Sequence, residues 1–273
     1  MLRPSRRRAS RTSDTASGDP QVVTDILITG GSDGIGLALA KLLTAEGDAR
    51  VTLVARSEAK LAEAVAQLPG AGHDFIAADL SRPDGMDLVV RRLAARHYDV
   101  LINNAGAGLY GRFAELPLDE QLRMMSLNME SVSVLSHAYL RRAKPGDALV
   151  NTASFLAYAP LPGSAAYSAT KAFVATLSEA LWWESKKDGV YVLGFSPGVM
   201  ATGFHREAGN SVAAFPRLLV QSPESVAREL VAALGKRGKP RVITGFATRQ
   251  LIRLQQLVGR KTAINMMGRS SPL

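Results

Sequence analysis

The sequence predicts an α/β fold, a doubly wound and mostly parallel sheet of about seven strands with helices on both faces. Three observations carry this expectation. From Asp25 onward, short β-branched runs alternate with amphipathic stretches, and strict strand–helix alternation implies parallel strands joined by crossover helices. The first run passes directly into a glycine-rich turn and then a helix, as the opening unit of a dinucleotide-binding sheet requires. At 273 residues, 47% hydrophobic and 21% charged, the chain is long and apolar enough for one large domain with a sizeable core.

The first strand is expected at Ile26–Thr29 and the first helix at Ile35–Glu46, with TGGSDGIG (Thr29 to Gly36) joining them. Gly30 permits the tight turn, Gly34 lets backbone amides approach a pyrophosphate, and Gly36 lets the helix pack closely on the strand. The second strand, Arg50–Ala55, runs into Arg56 and then a helix over Ser57–Gln67. An acid at this strand end would hold the ribose 2′-hydroxyl of NAD, whereas arginine accommodates a 2′-phosphate. Arg56, with Ser32 and Ser57, therefore predicts NADP(H) in preference to NAD.

A strand over His73–Ala77 and a helix over Gly85–Ala95 follow, then a strand over Asp99–Ile102 and one long helix over Asp119–Arg142. The next strand, Ala148–Thr152, is followed by a helix over Ala165–Lys187 that carries Tyr167 and Lys171. Four residues apart, these two side chains lie on one helical face, one turn from each other. A lysine cation beside a phenol favours phenolate and lowers its pKa from the usual ~10. That places Tyr167 for general acid–base work on an alcohol or ketone. The rival Tyr158 has Pro162 where a lysine would have to be. Ser154 lies thirteen residues before Tyr167, just past a strand end where a ligand crevice forms, unlike its neighbours Ser164 and Ser168.

The remaining elements are a strand over Val190–Phe195, a helix over Pro223–Lys236 and a strand over Arg241–Thr244. Between them, Ser196–Ser222 shows no periodicity and is too long for a passive connection. Its Met200, Phe204, Phe215, Leu218, Leu219 and Val220 predict a lid over an apolar ligand.

Composition excludes several functions. With no cysteine there are no disulfides, thiolate metal sites or thiol nucleophile, and the four histidines have no ligand spacing, so no metal is expected. The net charge of +9 is confined to the ends: +3 in residues 1–20 and +9 in 235–273, against −3 in between. A nucleic-acid partner is not expected from a body with net negative charge. Residues 1–24 read as a disordered basic tail, too poor in apolar side chains to offset the entropy of ordering. This tail has no apolar core of a secretory signal, and no run reaches the ~18 apolar residues of a membrane span. A cytoplasmic location is the expectation. Residues 25–245 form the single catalytic domain in this reading, and 246–273 a basic amphipathic extension.

In register along the chain stand TGGSDGIG, Asp79–Leu80, NNAG (Asn103–Gly106), Asn128, Ser154, YSATK (Tyr167–Lys171) and PGVMAT (Pro197–Thr202). Together they resemble the short-chain dehydrogenase/reductase family, in its single-domain Rossmann-like branch, over about residues 25–245. The resemblance implies an oxidoreductase moving hydride between NADP(H) and a carbonyl or secondary alcohol. It implies cofactor contacts from Gly30, Ser32, Asp33, Gly34, Ile35 and Gly36, from Arg56 at the 2′-phosphate, and from Asp79 at the adenine with Leu80 behind it. Asn103, Ala105 and Gly106 would lie beside the ribose, and Pro197, Gly198, Val199 and Thr202 would cover the nicotinamide. Asn128, Ser154, Tyr167 and Lys171 resemble the catalytic tetrad, with Tyr167 and Lys171 also implied as cofactor contacts: Tyr167 moves the proton and Ser154 holds the carbonyl oxygen. Lys171 tunes Tyr167 and grips the ribose, and Asn128 holds a relay water. Asp33 departs from the pattern, standing where NADP-preferring members often carry a basic residue.

The expected substrate is an apolar or acyl-type ketone or aldehyde, and relatives of this kind commonly form homo-oligomers through their long helices. A redox-silent NADP-binding regulator is the alternative, against which the intact Tyr167 and Lys171 weigh. In Arg249–Val258, the side chains of Arg249, Arg253, Gln256 and Arg260 face one way and Leu251, Leu254 and Val258 the other. That amphipathic, basic helix suggests docking on the body, an oligomer contact or contact with an anionic membrane surface.

Overall fold

A computed structural model describes residues 24–45, 48–159, 161–200, 208, 216–269 and 271. The expectations for the N-terminal tail, Phe204 and Phe215 therefore lie outside the described residues. The core is a seven-stranded sheet in the order β3-β2-β1-β4-β5-β6-β9, and every described pairing is parallel. Its strands are β1 (Thr24–Thr29), β2 (Ala49–Ala55), β3 (Asp74–Ala77), β4 (Val100–Asn103), β5 (Ala148–Thr152), β6 (Tyr191–Ser196) and β9 (Arg241–Ile243). A separate parallel pair joins β7 (Val199–Met200) to β8 (Val220–Gln221).

Alternation along each strand sends side chains into two cores. Ile26, Ile28, Val100, Ile102, Val150, Leu193 and Phe195 face one side, packed on helices α1 (Gly34–Thr44), α2 (Glu58–Ala66) and α7 (Pro223–Lys236) through Leu39, Leu61 and Leu230. Leu27, Leu101, Leu149 and Val192 face the other, packed on α3 (Pro83–Ala95) and α5 (Ser131–Leu140) through Val89, Leu93 and Leu135. Helix α6 (Ala165–Glu184) lies on that second face, where Gly194 of β6 leaves room for Ser178. Both faces of a buried parallel sheet must be covered, which is why its strands read as nearly continuous apolar runs.

One expected element differs. The helix foreseen over Asp119–Arg142 is divided into α4 (Leu118–Met125), a π turn at Ser126–Glu130, and α5. The Ser131 amide donates to the Ser126 carbonyl, five residues back. Such an irregularity inserts one residue into the helical phase and leaves no mark in a period of 3.6.

The C-terminal extension packs onto the body as α8 (Phe246–Leu257) and α9 (Arg260–Arg269). Its buried anchor is Ile252, while Leu254 and Val258, expected on the docked face, are exposed. Arg249, expected on a solvated face, instead pairs with Glu229 of α7 at 2.9 Å. The tertiary ion pair and Ile252 together rotate the helix away from the orientation that its hydrophobic pattern alone suggests.

Candidate active site

Parallel strands bring all their C-terminal ends to one edge, and the segments after β1, β4, β5 and β6 meet there. After β1, Gly30 (φ +66°) and Gly34 (φ +53°) adopt left-handed backbone that a side chain would strain. A Cβ on Gly36 would lie 2.1 Å from the Gly30 carbonyl oxygen, so only glycine lets α1 approach this closely. Asp33 precedes α1 in extended conformation and its side chain makes no cap hydrogen bond, which leaves the first-turn amides to another acceptor. An exposed helix N-terminus behind a turn of this shape suits a pyrophosphate. Ile35 is buried in the core, so any ligand contact from it is through its backbone.

Two residues that the sequence reading passed over hold this turn. Thr29 Oγ1 accepts from the amides of Asn104 (2.9 Å) and Ala105 (3.0 Å). The Asn104 amide group donates to the carbonyls of Thr29 (3.1 Å) and Gly30 (3.2 Å). The second Asn of NNAG was the available signal. Its partner Asn103 does something else: it donates to Asn151 Oδ1 (2.9 Å) and Ser136 Oγ (3.2 Å). Buried between β4, β5 and α5, the Asn103 side chain fastens the sheet.

Arg56 is exposed at the end of β2, with Ser32 half-buried in the adjoining turn. Burial would raise the Asp79 carboxyl, but hydrogen bonds from the Ser81 hydroxyl (2.7 Å) and amide (3.0 Å) outweigh it. With the cations of Arg56 and Arg82 they hold Asp79 below the usual carboxylate range. Leu80 is buried in the core with Ala78 and Met86, so its part is packing behind Asp79.

After β6, Pro197 accepts from the Phe155 amide (3.0 Å) and the Gly198 amide donates to Thr244 Oγ1 (3.0 Å). A Cβ on Gly198 would come within 2.7 Å of Thr248 Oγ1 on α8. Val199 is buried, and its strand β7 pairs with Val220 of β8. Within the foreseen lid, Leu219 and Val220 pack inward and Leu218 is 83% exposed. Thr202 lies outside the described residues.

Ser154 stands two residues past β5, buried, and its Oγ accepts from the Leu156 amide at 3.2 Å. It also hydrogen-bonds Tyr167, one helical turn before Lys171 on α6. The Lys171 ammonium lies 5.8 Å from the centre of the Tyr167 ring and donates to the Thr152 carbonyl at 2.9 Å. Sequence spacing placed these three groups together, but not the direction of their titration. Burial pushes Tyr167 up to about 12, the Ser154 hydrogen bond only partly opposing it. Burial likewise pushes Lys171 down to about 8. In the protein alone, desolvation outweighs the expected lysine effect.

Asn128 sits inside the π turn, fully buried. Its side chain donates to the Ala107 carbonyl (2.9 Å) and Thr170 Oγ1 (3.0 Å) and accepts from the Ala107 amide (3.0 Å). Thr170 in turn donates to the Tyr167 carbonyl at 2.8 Å. Both amide hydrogens of Asn128 are thus committed to protein, and the side chain positions the Gly106–Ala107 strip and α6. A Cβ on Gly106 would lie 3.2 Å from both Asn128 Oδ1 and Lys171 Nζ, so glycine keeps that approach open.

Among the described residues one group of histidine and carboxylates gathers elsewhere, at the opposite strand ends. His97 Nε2 lies 3.6 Å from Asp99 and 3.3 Å from Asp147.

The fold and the Ser–Tyr–Lys group at its strand ends define a class of oxidoreductases built on this sheet. Residues 24–212 match the family described as short chain dehydrogenase, and the chain belongs to that family. An uncharacterized oxidoreductase of Staphylococcus aureus strain USA300 is 32% identical over 188 residues, 66% of this chain and 80% of that protein. A short-chain dehydrogenase from Sphingobium yanoikuyae, solved in complex with NADPH, has a TM-score of 0.75 at 28% identity, covering 88% of this chain and 94% of that one. The bulky-bulky ketone specific alcohol dehydrogenase from Comamonas testosteroni has a TM-score of 0.71 at 26% identity, covering 86% and 92%.

Proposed function

We propose that this chain is an NADP(H)-dependent reductase of an apolar or acyl-type ketone or aldehyde, running the reverse oxidation of the matching alcohol. The carrying observation is the Ser154–Tyr167–Lys171 group, set at the same sheet edge as a glycine turn that fits a pyrophosphate. The Sphingobium relative's NADPH and the exposed Arg56 beside Asp79 support NADP(H) over NAD.

Bound NADP(H) supplies the hydride, or takes it up, at the carbonyl carbon. Tyr167, held protonated by burial, donates its hydroxyl proton to the carbonyl oxygen in reduction and recovers it in oxidation. The Ser154 hydroxyl, aimed by the Leu156 amide, hydrogen-bonds the same oxygen and stabilises the charge developing there. Lys171, about nine-tenths protonated at pH 7 with a pKa of about 8, places a cation beside Tyr167. Its charge stabilises the phenolate left after proton transfer, and its remaining N–H groups suit ribose hydroxyls. Asn128 acts by position, keeping α6 and the Gly106 strip in register.

The test is NADPH oxidation with a panel of ketones, comparing wild type with Tyr167→Phe. Turnover should fall at least ~100-fold. Undiminished turnover in the variant refutes the assignment.

A cytoplasmic location belongs to the same proposal. So does a homo-oligomer, supported by exposed Leu118, Leu122 and Phe173 beside a cavity of about 380 Å³ on α4, the π turn and α6. A monomer mass in sedimentation equilibrium removes that proposal. A peripheral membrane contact through α8 rests on exposed Leu254 and Leu257 beside Arg253. Failure of the full chain to pellet with anionic vesicles removes it.

A further inference from the structure

The chain's last helices turn back over the sheet edge that carries Ser154. On α8, Ile252 packs with Phe155, Leu156, Leu161 and Val199, while Arg249 is tied to Glu229. On α9, Met267 packs against the same apolar cluster, which also takes the rings of Tyr110 and Tyr167. Just beyond α9, Ser271 Oγ donates to the Pro162 carbonyl at 2.9 Å and lies 2.7 Å from the Tyr110 hydroxyl. A hydroxyl has one proton to give, so Tyr110 is the donor to Ser271.

The two partners of Ser271 come from different loops. Tyr110 follows β4 and the Gly106 strip, and Pro162 lies between Ser154 and α6. The same loops are joined next door, where the Gly111 amide donates to the Gly163 carbonyl at 2.8 Å. The chain's end therefore clasps together the two loops that border Ser154 and Tyr167. Beneath this arm is a cavity of about 180 Å³, its apolar wall made by Tyr158, Ala159, Val258, Ile264 and Met267, with the amides of Gln255 and Gln256 at its side. Among its described lining residues, Arg260 is the only charged one, and it is exposed.

We propose that α9 is the outer wall of the substrate pocket, that the Tyr110–Ser271–Pro162 clasp holds it shut, and that Tyr110 and Met267 set the size of the substrate's apolar part. An apolar substituent gains from leaving water for this lining, whereas a buried charge would lose hydration without a partner. The wall rests on the carbonyl-reductase reading; the clasp does not.

Two measurements on the full chain separate them. The first is kcat/KM for a bulky aryl ketone divided by that for a small aliphatic ketone. This ratio should rise about tenfold in Met267→Ala and fall about tenfold in Met267→Trp, the usual worth of a small volume change in an apolar pocket. The second is hydrogen exchange with NADPH affinity as control. Ser271→Ala should speed exchange in residues 104–117 and 260–271 at least tenfold and leave NADPH binding unchanged. Tyr110→Phe, which keeps the ring and removes only the donor, should repeat the effect. An unchanged ratio in both folded Met267 variants overturns the wall. Unchanged exchange in both Ser271→Ala and Tyr110→Phe overturns the clasp. A wild type that binds NADPH and reduces no carbonyl overturns the reductase reading and the wall with it, while the exchange data still decide the clasp.

Discussion

Replacing Lys171 by methionine should stabilise the folded protein at neutral pH while abolishing turnover. Lys171 is only 4% exposed and its ammonium has the Thr152 carbonyl as hydrogen-bond partner. Burial alone accounts for the fall in its pKa from 10.5 to about 8. At 1.36 kcal/mol per tenfold change, that gap is a folding penalty of roughly 3 kcal/mol at pH 7. Methionine keeps the apolar stem and removes the charge, but strands the Thr152 carbonyl, a loss of about 1 kcal/mol. The net expectation is a gain of roughly 2 kcal/mol.

The pH dependence fixes the sign. Because the folded pKa lies below the unfolded value, the unfolded chain binds more protons between pH 8 and 10.5, and wild-type stability rises through that window. The variant's advantage is therefore full below pH 8, shrinks as pH rises, and has reversed by 10.5, above which only the lost hydrogen bond counts. Tyr167, raised from 10.0 to about 12, works in the opposite sense, and destabilises both proteins alike as pH passes 10. Urea denaturation followed by tryptophan fluorescence at pH 7, 9 and 10.5, without cofactor, measures the difference directly. A variant less stable than wild type at pH 7, or a gap that does not change with pH, refutes the reasoning.

Asn128→Ala should cost about 3 kcal/mol, since it strands the amide and carbonyl of Ala107 and the Thr170 hydroxyl in a buried site. A shift in the urea midpoint worth less than about 1 kcal/mol would show that solvent replaces those bonds freely. Arg56→Asp should weaken NADPH binding about tenfold more than NADH binding, the worth of one charge-assisted contact. Equal loss for both nucleotides, by fluorescence titration, would remove the 2′-phosphate role of Arg56.

Much of this was legible because it depends on local chemistry. Each of the seven strands of the main sheet falls within two residues of its expected bounds, since a buried parallel strand announces itself as an apolar β-branched run. The glycine turn was legible for a similar reason: Gly30, Gly34 and Gly36 meet steric demands that no other residue satisfies. What escaped depends on distant partners. Asn103 and Asn104 are adjacent in sequence yet serve different parts of the fold, one pinning β4 to β5 and the other holding the turn after β1. The raised Tyr167 pKa escaped because spacing gives proximity to Lys171 but not the depth of burial. The face of α8 that docks was misjudged because Glu229, outside the helix, recruits Arg249.

The π turn at Ser126–Glu130 has a consequence for how this sequence tolerates change. A single added residue advances every later side chain by about 100° around the axis. Met124 upstream and Leu135 downstream are both buried, so each flanking helix is held in its present phase by its own packing. A one-residue deletion between them can therefore be taken up by closing the π turn into regular helix, which leaves both halves packed and removes only the detour in which Asn128 sits.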